Sequence, residues 1–155
     1  IDEQTKLYNR IRWDELVENS ISDNETVGVM MLDINNLKHT NDTLGHDAGE
    51  KLITDFADIL RKNIGSSEAL FRWGGDEFVI LVRNANSQKL ADYASKIKKA
   101  TEEHNNLGNM PNIHFACGYA LSDDFPTLSK RELLAKADEL MYEEKNRWHA
   151  KYMKK

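Results

Sequence analysis

Two adjacent glycines, Gly74 and Gly75, stand between two apolar runs, Ala69-Leu70-Phe71 and Phe78-Val79-Ile80-Leu81-Val82. Strand-like segments joined by so short a connection form a tight hairpin, and the glycine pair is expected to supply backbone with positive φ. Two carboxylates, Asp76 and Glu77, lie on or beside that turn. With no side chains at positions 74 and 75, a large ligand can reach the main chain there. A second acidic site lies upstream. Asp33 follows the apolar run Val27-Gly28-Val29-Met30-Met31-Leu32 and precedes Asn35-Asn36, which open a helix. Two acidic strand ends and a glycine turn point to a divalent metal and phosphate.

The rest of the pattern sets a fold class. Asn9 to Val17 reads as a helix and Ser20 to Glu25 as a polar loop. Thr26 to Leu32 is hydrophobic almost without interruption, as a strand buried on both faces would be. Asn35 is placed as the N-cap of a short helix through Leu44, which Gly45 ends. Asp47-Ala48-Gly49-Glu50 resembles a capping box opening the next helix, whose apolar face is Leu52, Ile53, Phe56, Ala57 and Leu60. The hairpin strands are expected at 69–73 and 77–83. A helix from Ser87 to about Asn105 and a strand from Ile113 to Leu121 follow. Ser129 and Glu132 form a second capping box, ahead of a long helix with a core stripe of Leu133, Leu134, Ala137, Leu140 and Met141. The order α–β–α–α–β–β–α–β–α, with a hairpin inside it, argues for an α+β sandwich rather than a doubly wound parallel sheet.

Length and composition narrow the function classes. A chain of 155 residues is expected to form one domain, 1–155, with a core of its own. The single cysteine, Cys117, cannot close an internal disulfide; it reads as an inert core thiol suited to a reducing compartment. A net charge of −5 argues against general nucleic-acid binding. The basic residues Lys145, Arg147, Lys151, Lys154 and Lys155 read as a solvated helix end favoured by the macrodipole, Lys145 excepted. No apolar run approaches the roughly 18 residues of a membrane span, and no signal peptide is visible. The chain begins at Ile1, so a fragment or processed form is expected.

The segment Arg72-Trp73-Gly74-Gly75-Asp76-Glu77-Phe78 resembles the signature of the GGDEF family, the diguanylate cyclases. Asp2-Glu3-Gln4-Thr5-Lys6-Leu7-Tyr8-Asn9-Arg10 resembles the family's opening D-x-x-T-x-L-x-N-R. Asp33-Ile34-Asn35-Asn36-Leu37-Lys38 and Asn41-Asp42-Thr43-Leu44-Gly45-His46 resemble its central block. Ala137-Asp138, Met141-Tyr142 and Lys145 resemble its last helix. The pieces occur in the family's order across nearly the whole chain.

The resemblance implies a ferredoxin-like, nucleotidyl-cyclase palm-type sandwich, with a mostly antiparallel central sheet flanked by helices. It implies condensation of two GTP to cyclic di-GMP and pyrophosphate, with Mg²⁺ or Mn²⁺. Asp33, Asp76 and the Ile34 carbonyl match the metal ligands, and Glu77 lies near the reacting groups. Backbone N–H groups of Asn36, Leu37 and Lys38, after Asn35, face the triphosphate, as helix starts do for anions. Gly74 and Gly75 lie against the substrate, and Lys145 matches a triphosphate-binding lysine. Asn41 and Glu50 match the residues that read guanine, whose N1 and N2 donors a carboxylate accepts. Asp42, Gly45 and His46 read as structural, and Arg72 braces the hairpin by pairing with an acid. One domain holds one GTP, so turnover implies a homodimer. A cytoplasmic location, an upstream sensor domain, no nucleic-acid partner and no membrane insertion complete the expectation.

Three departures qualify it. His149 stands where the family often has an arginine, Glu50 where it has aspartate, and Gly65-Ser66-Ser67-Glu68 where many members have the R-x-x-D of a product-inhibition site. Two alternatives follow: a catalytically weak or inactive GTP-binding regulatory module, and a cyclase with relaxed purine choice.

Overall fold

The computed structural model of the chain describes residues 1–22 and 24–152. Asp23 of the expected polar loop, and Lys154 and Lys155 of the basic end, lie outside the described residues.

Helix α1 (Arg10–Asn19) leads to β1 (Val27–Ile34), then α2 (Leu37–Leu44) and α3 (His46–Asn63). The hairpin strands β2 (Ala69–Arg72) and β3 (Glu77–Arg83) follow, then α4 (Ser87–Asn106), β4 (Phe115–Leu121), a short 3₁₀ turn (Ser122–Asp124) and α5 (Lys130–Tyr152). The sheet runs β2-β3-β1-β4, antiparallel at every pairing. That is the ferredoxin-like order expected. Among the described residues, no helix is long and apolar enough to cross a membrane.

All eight residues of β1 are buried, and the period-2 geometry of a strand explains how. Met30, Leu32 and Ile34 face the layer of α3 and α4, with Phe56, Leu60, Leu90 and Ile97. Val27, Val29 and Met31 face Trp13, Leu133, Ala137 and Met141 of α1 and α5. Alternate residues thus serve two cores, and the strand has no polar face until Asp33. Gly118 lets α5 lie directly on β4: a β-carbon there would collide with main-chain atoms of Ala137, Leu140 and Met141.

Three local expectations are corrected. The N-cap of α2 is Asn36, not Asn35. The Asp47–Glu50 capping box does not form: Gly45, at φ +92°, turns the chain so that α3 begins at His46 and Asp47 already lies in its first turn. Gly74 and Gly75 do not adopt positive φ. The Ser129 box does form. The Ser129 hydroxyl accepts from Glu132 N (3.1 Å), and the Glu132 carboxylate accepts from Ser129 N (2.9 Å).

Candidate functional site

Strand register brings the acids together. Asp33 lies opposite Glu77 across the β1–β3 pair, and Ile34 N donates to Asp76 O at 2.9 Å, locking the turn to the end of β1. On its other side Asp33 pairs with Ala116 of β4, so it sits mid-sheet and is only 6 % exposed. From α5, Lys145 Nζ donates to Asp33 Oδ2 at 2.9 Å. Asp33 Oδ1 is buried and has no partner.

Burial raises the Asp33 carboxyl to about 6; the Lys145 hydrogen bond opposes the rise, while repulsion from Asp76 and Glu77 adds to it. Glu77 is also held above its ordinary range, by burial first and then by Asp76 and Asp138, with Arg10 and Lys145 pulling the other way. Three carboxylates therefore share one patch with a single lysine at its centre. Such a patch is poised for a cation. Among the described residues no cluster of three or more acidic, histidine or cysteine side chains forms a self-contained metal cage. Two aspartates with a main-chain carbonyl are nonetheless hard oxygen donors of the kind Mg²⁺ and Mn²⁺ take. Such ions commonly complete their shell with water and phosphate oxygens. Asp33 Oδ1 is a buried oxygen without a hydrogen-bond partner, which a cation would satisfy, so the residues fit the ion.

Arg72 braces the turn as expected, and its reach is wider than one acid. Its Nη2 donates to Gly75 O (2.8 Å) and its Nε to Gly74 O (3.3 Å). Its Nη1 donates to Asp2 Oδ2 (3.2 Å) and to Gln4 Oε1 (2.8 Å). Gln4 Nε2 in turn donates to Glu50 O at 3.3 Å. The strand edge is held too: Tyr8 N donates to Leu70 O and Arg72 N to Tyr8 O. The glycines serve space rather than φ. A β-carbon on Gly74 would come within 2.5 Å of Glu77 Oε1, whereas one on Gly75 would meet nothing within 4 Å. Gly74 makes room for the Glu77 carboxylate, and Gly75 leaves the turn open to a ligand.

The second half of the site is built by α2 and α3. The first-turn N–H groups of α2 have no carbonyl within their own helix to bond. Lys38 is exposed, and Leu37 packs its side chain on the core. The side chain of Asn36 is committed elsewhere: Nδ2 donates to Asn112 O (2.9 Å) and Oδ1 accepts from His114 N (3.2 Å). Its main-chain carbonyl accepts from Thr40 N at 2.9 Å, which leaves the main-chain N–H. Both polar atoms of Asn35 are buried without partners. Asn41 lies against Gly49 of α3, and the next residue, Glu50, is exposed.

The structure brings Asp33, Asp76, Glu77 and Lys145 into one neighbourhood. It does not bring His149 to them by any direct bond: that ring meets the edge of Trp148, 5.2 Å between centroids. Two residues that the sequence offered only as motif positions, with no role, take part. Arg10 lies over the Trp73 ring (4.6 Å), donates to Trp73 O (3.0 Å) and acts on Glu77. Asp138 acts on Glu77 from α5. The signal for Asp138 was its spacing: seven residues before Lys145, two helical turns, hence the same face.

At the four positions 65–68 the structure shows an internal ion network instead of a ligand clamp. The Glu68 carboxylate is fully buried and accepts from Arg83 N (2.8 Å), Tyr93 Oη (2.7 Å) and Lys89 Nζ (3.0 Å).

The profile of the family described as "Diguanylate cyclase, GGDEF domain" matches residues 1–151. The chain is 29 % identical over 148 residues to diguanylate cyclase DgcS of Shewanella oneidensis, covering 93 % of this chain and 49 % of that protein. It is 30 % identical over 123 residues to diguanylate cyclase A of Treponema denticola, covering 78 % of this chain and 33 % of that protein. The chain thus spans half or less of these relatives. Among solved structures, the GGDEF domain of DgcB from Caulobacter crescentus, in complex with c-di-GMP, shares the fold with a TM-score of 0.82 at 23 % identity, over 94 % of this chain and 89 % of that one. The chain belongs to the GGDEF-domain family of diguanylate cyclases.

Proposed function

We propose that this chain, as one domain, condenses two GTP into cyclic di-GMP and pyrophosphate. The observation that carries the reading is the meeting of Asp33, Asp76 and Glu77 beneath an open glycine turn, with Lys145 among them. Phosphoryl transfer relies on positioning and on neutralising negative charge. Asp33, Asp76 and the Ile34 carbonyl would hold Mg²⁺ or Mn²⁺, which when bound supplies charge neutralisation at the reacting phosphate. The main-chain N–H groups at the start of α2 and the Lys145 ammonium bind the remaining phosphate oxygens, with His149 one turn further along α5 as an auxiliary contact. Gly75 allows close approach of the nucleotide to the turn. Asn41 and Glu50 read the base: a carboxylate accepts from guanine N1 and N2 and repels the acceptor at adenine N1. Glu77, whose carboxyl burial and neighbouring acids hold above its usual range, manages the proton of the attacking 3′-hydroxyl in this reading.

The product is two-fold and each domain holds one nucleotide, so two copies of the chain must face each other for turnover. A nucleoside triphosphate substrate and a single cysteine with no disulfide partner fit a cytoplasmic protein, and a sensor domain upstream would supply the signal. The test is to incubate the purified protein with GTP, with ATP and with both, each with Mg²⁺ or Mn²⁺, and to identify products by chromatography. Cyclic di-GMP from GTP alone is expected. GTP binding with no product would instead make the chain a regulatory module, and mixed dinucleotides would make it a cyclase of relaxed purine choice.

A further inference from the structure

We infer that Gly49 is a positioning residue for guanine recognition, because its missing side chain is the space in which the Asn41 amide lies. The inference rests on the reading of Asn41 as a base-reading residue.

Gly49 is buried in the first turn of α3. Among the described residues, the glycines with positive φ are Gly45 and Gly108, so the backbone at 49 does not demand glycine. In an ordinary helical conformation glycine is less stable than alanine. The position gives up that stability for room. A β-carbon at 49 would overlap Asn41 Oδ1, come within 2.8 Å of Asn41 Cγ and lie 3.3 Å from Asn41 Nδ2. These three nearest atoms all belong to one side chain. An added methyl would therefore displace the Asn41 amide before it disturbed α2 or α3.

The backbone of Asn41 is fixed independently, since Gly45 N donates to Asn41 O at 3.0 Å. Its side-chain amide makes no hydrogen bond among the described residues, so both its donors and its acceptor remain for a ligand. What orients it is contact with Gly49. Glu50 follows immediately, about 100° further round the helix, and is exposed. One helical turn thus carries the seat for the amide and, next to it, the carboxylate. A base edge that bonds both groups must find them at a fixed separation, and Gly49 sets it.

The test is a double-mutant cycle of Gly49→Ala, Asn41→Ala and both together. Calorimetry with non-hydrolysable GTP and ATP analogues is paired with thermal unfolding. Gly49→Ala should keep or raise Tm while weakening the GTP analogue about tenfold, the equivalent of one lost hydrogen bond. The GTP-over-ATP ratio should fall by a similar factor. In the Asn41→Ala background, Gly49→Ala should change neither affinity nor selectivity. If Gly49→Ala does lower Tm, the double variant must restore it, since only Asn41 is displaced; a loss that persists overturns the inference. So does an equal loss of affinity in both backgrounds, or full affinity in Gly49→Ala when Asn41→Ala binds weakly. If Asn41→Ala alone binds the GTP analogue as the parent does, the base-reading role itself is wrong and the inference falls with it.

Discussion

Replacing Asp33 by asparagine should make the protein more stable and catalytically dead. The site concentrates Asp33, Asp76 and Glu77 and offers Lys145 as the partner of Asp33. The net of burial, repulsion and that ion pair raises the Asp33 carboxyl from 3.8 to about 6. A raised acid binds its proton more tightly folded than unfolded, so ionising it costs folding free energy. The cost is absent below the unfolded value, grows as pH rises from about 4 to about 6, and is complete above that. A rise from 3.8 to about 6 corresponds to ~3 kcal/mol. Asparagine keeps the shape and removes the charge. Lys145, whose side chain retains 20 % exposure, can turn its ammonium toward water. We therefore expect Asp33→Asn to be more stable by about 1–3 kcal/mol above pH 7. The assay is urea unfolding of both proteins in chelator-treated buffer from pH 4 to 8. The stability gap should open between pH 4 and 6 and then level off. Product formation should fall roughly a hundredfold or more as the proposed metal-binding oxygen is lost. A gap that is flat with pH, or a variant less stable than the parent at pH 8, would refute the electrostatic account; retained turnover would refute the metal role.

Three further outcomes are expected. Glu50→Ala should leave the urea midpoint unchanged, because the carboxylate is exposed and caps nothing, yet reduce the preference for GTP over ATP in competition binding; unaltered selectivity would remove Glu50 from the base site. Glu68→Ala should cost about 3 kcal/mol in urea unfolding, since it strands Tyr93 Oη and Arg83 N beside Lys89, and a loss under about 1 kcal/mol would mean that the network contributes little. Cyclic di-GMP should not bind at residues 65–68, where Gly65 offers no cation and Glu68 is turned inward; micromolar binding by calorimetry that survives a GTP analogue in the active site would contradict this.

How far the sequence could be read depended on the range of the interaction. Local pattern sufficed for the hairpin, the doubly buried first strand and the Ser129 cap, each a matter of neighbouring residues. It failed at Asp47, where the same capping pattern follows a glycine that swings the chain and starts the helix earlier. It identified Gly74 correctly for the wrong reason, because room for the Glu77 carboxylate is a three-dimensional fact that no dihedral preference encodes. Arg72 reaches Asp2 and Gln4 about seventy positions upstream, and Asn36 reaches Asn112 and His114 a similar distance downstream; neither long-range pairing leaves a local trace. The meeting of Asp33 with Glu77 depends on strand register, which hydrophobic alternation constrains but does not number.

The bracing of Arg72 has a mechanical consequence. The segment from Asp2 to Tyr8 is pinned to the edge of β2 by main-chain bonds, to the glycine turn through Arg72, and to the start of α3 through Gln4. A pull on that segment is shared along these paths between the acidic turn and the helix that carries Glu50, instead of loading either alone. The strap acts as a common tie-rod: it transmits tension to both halves of the site and resists their shearing past one another.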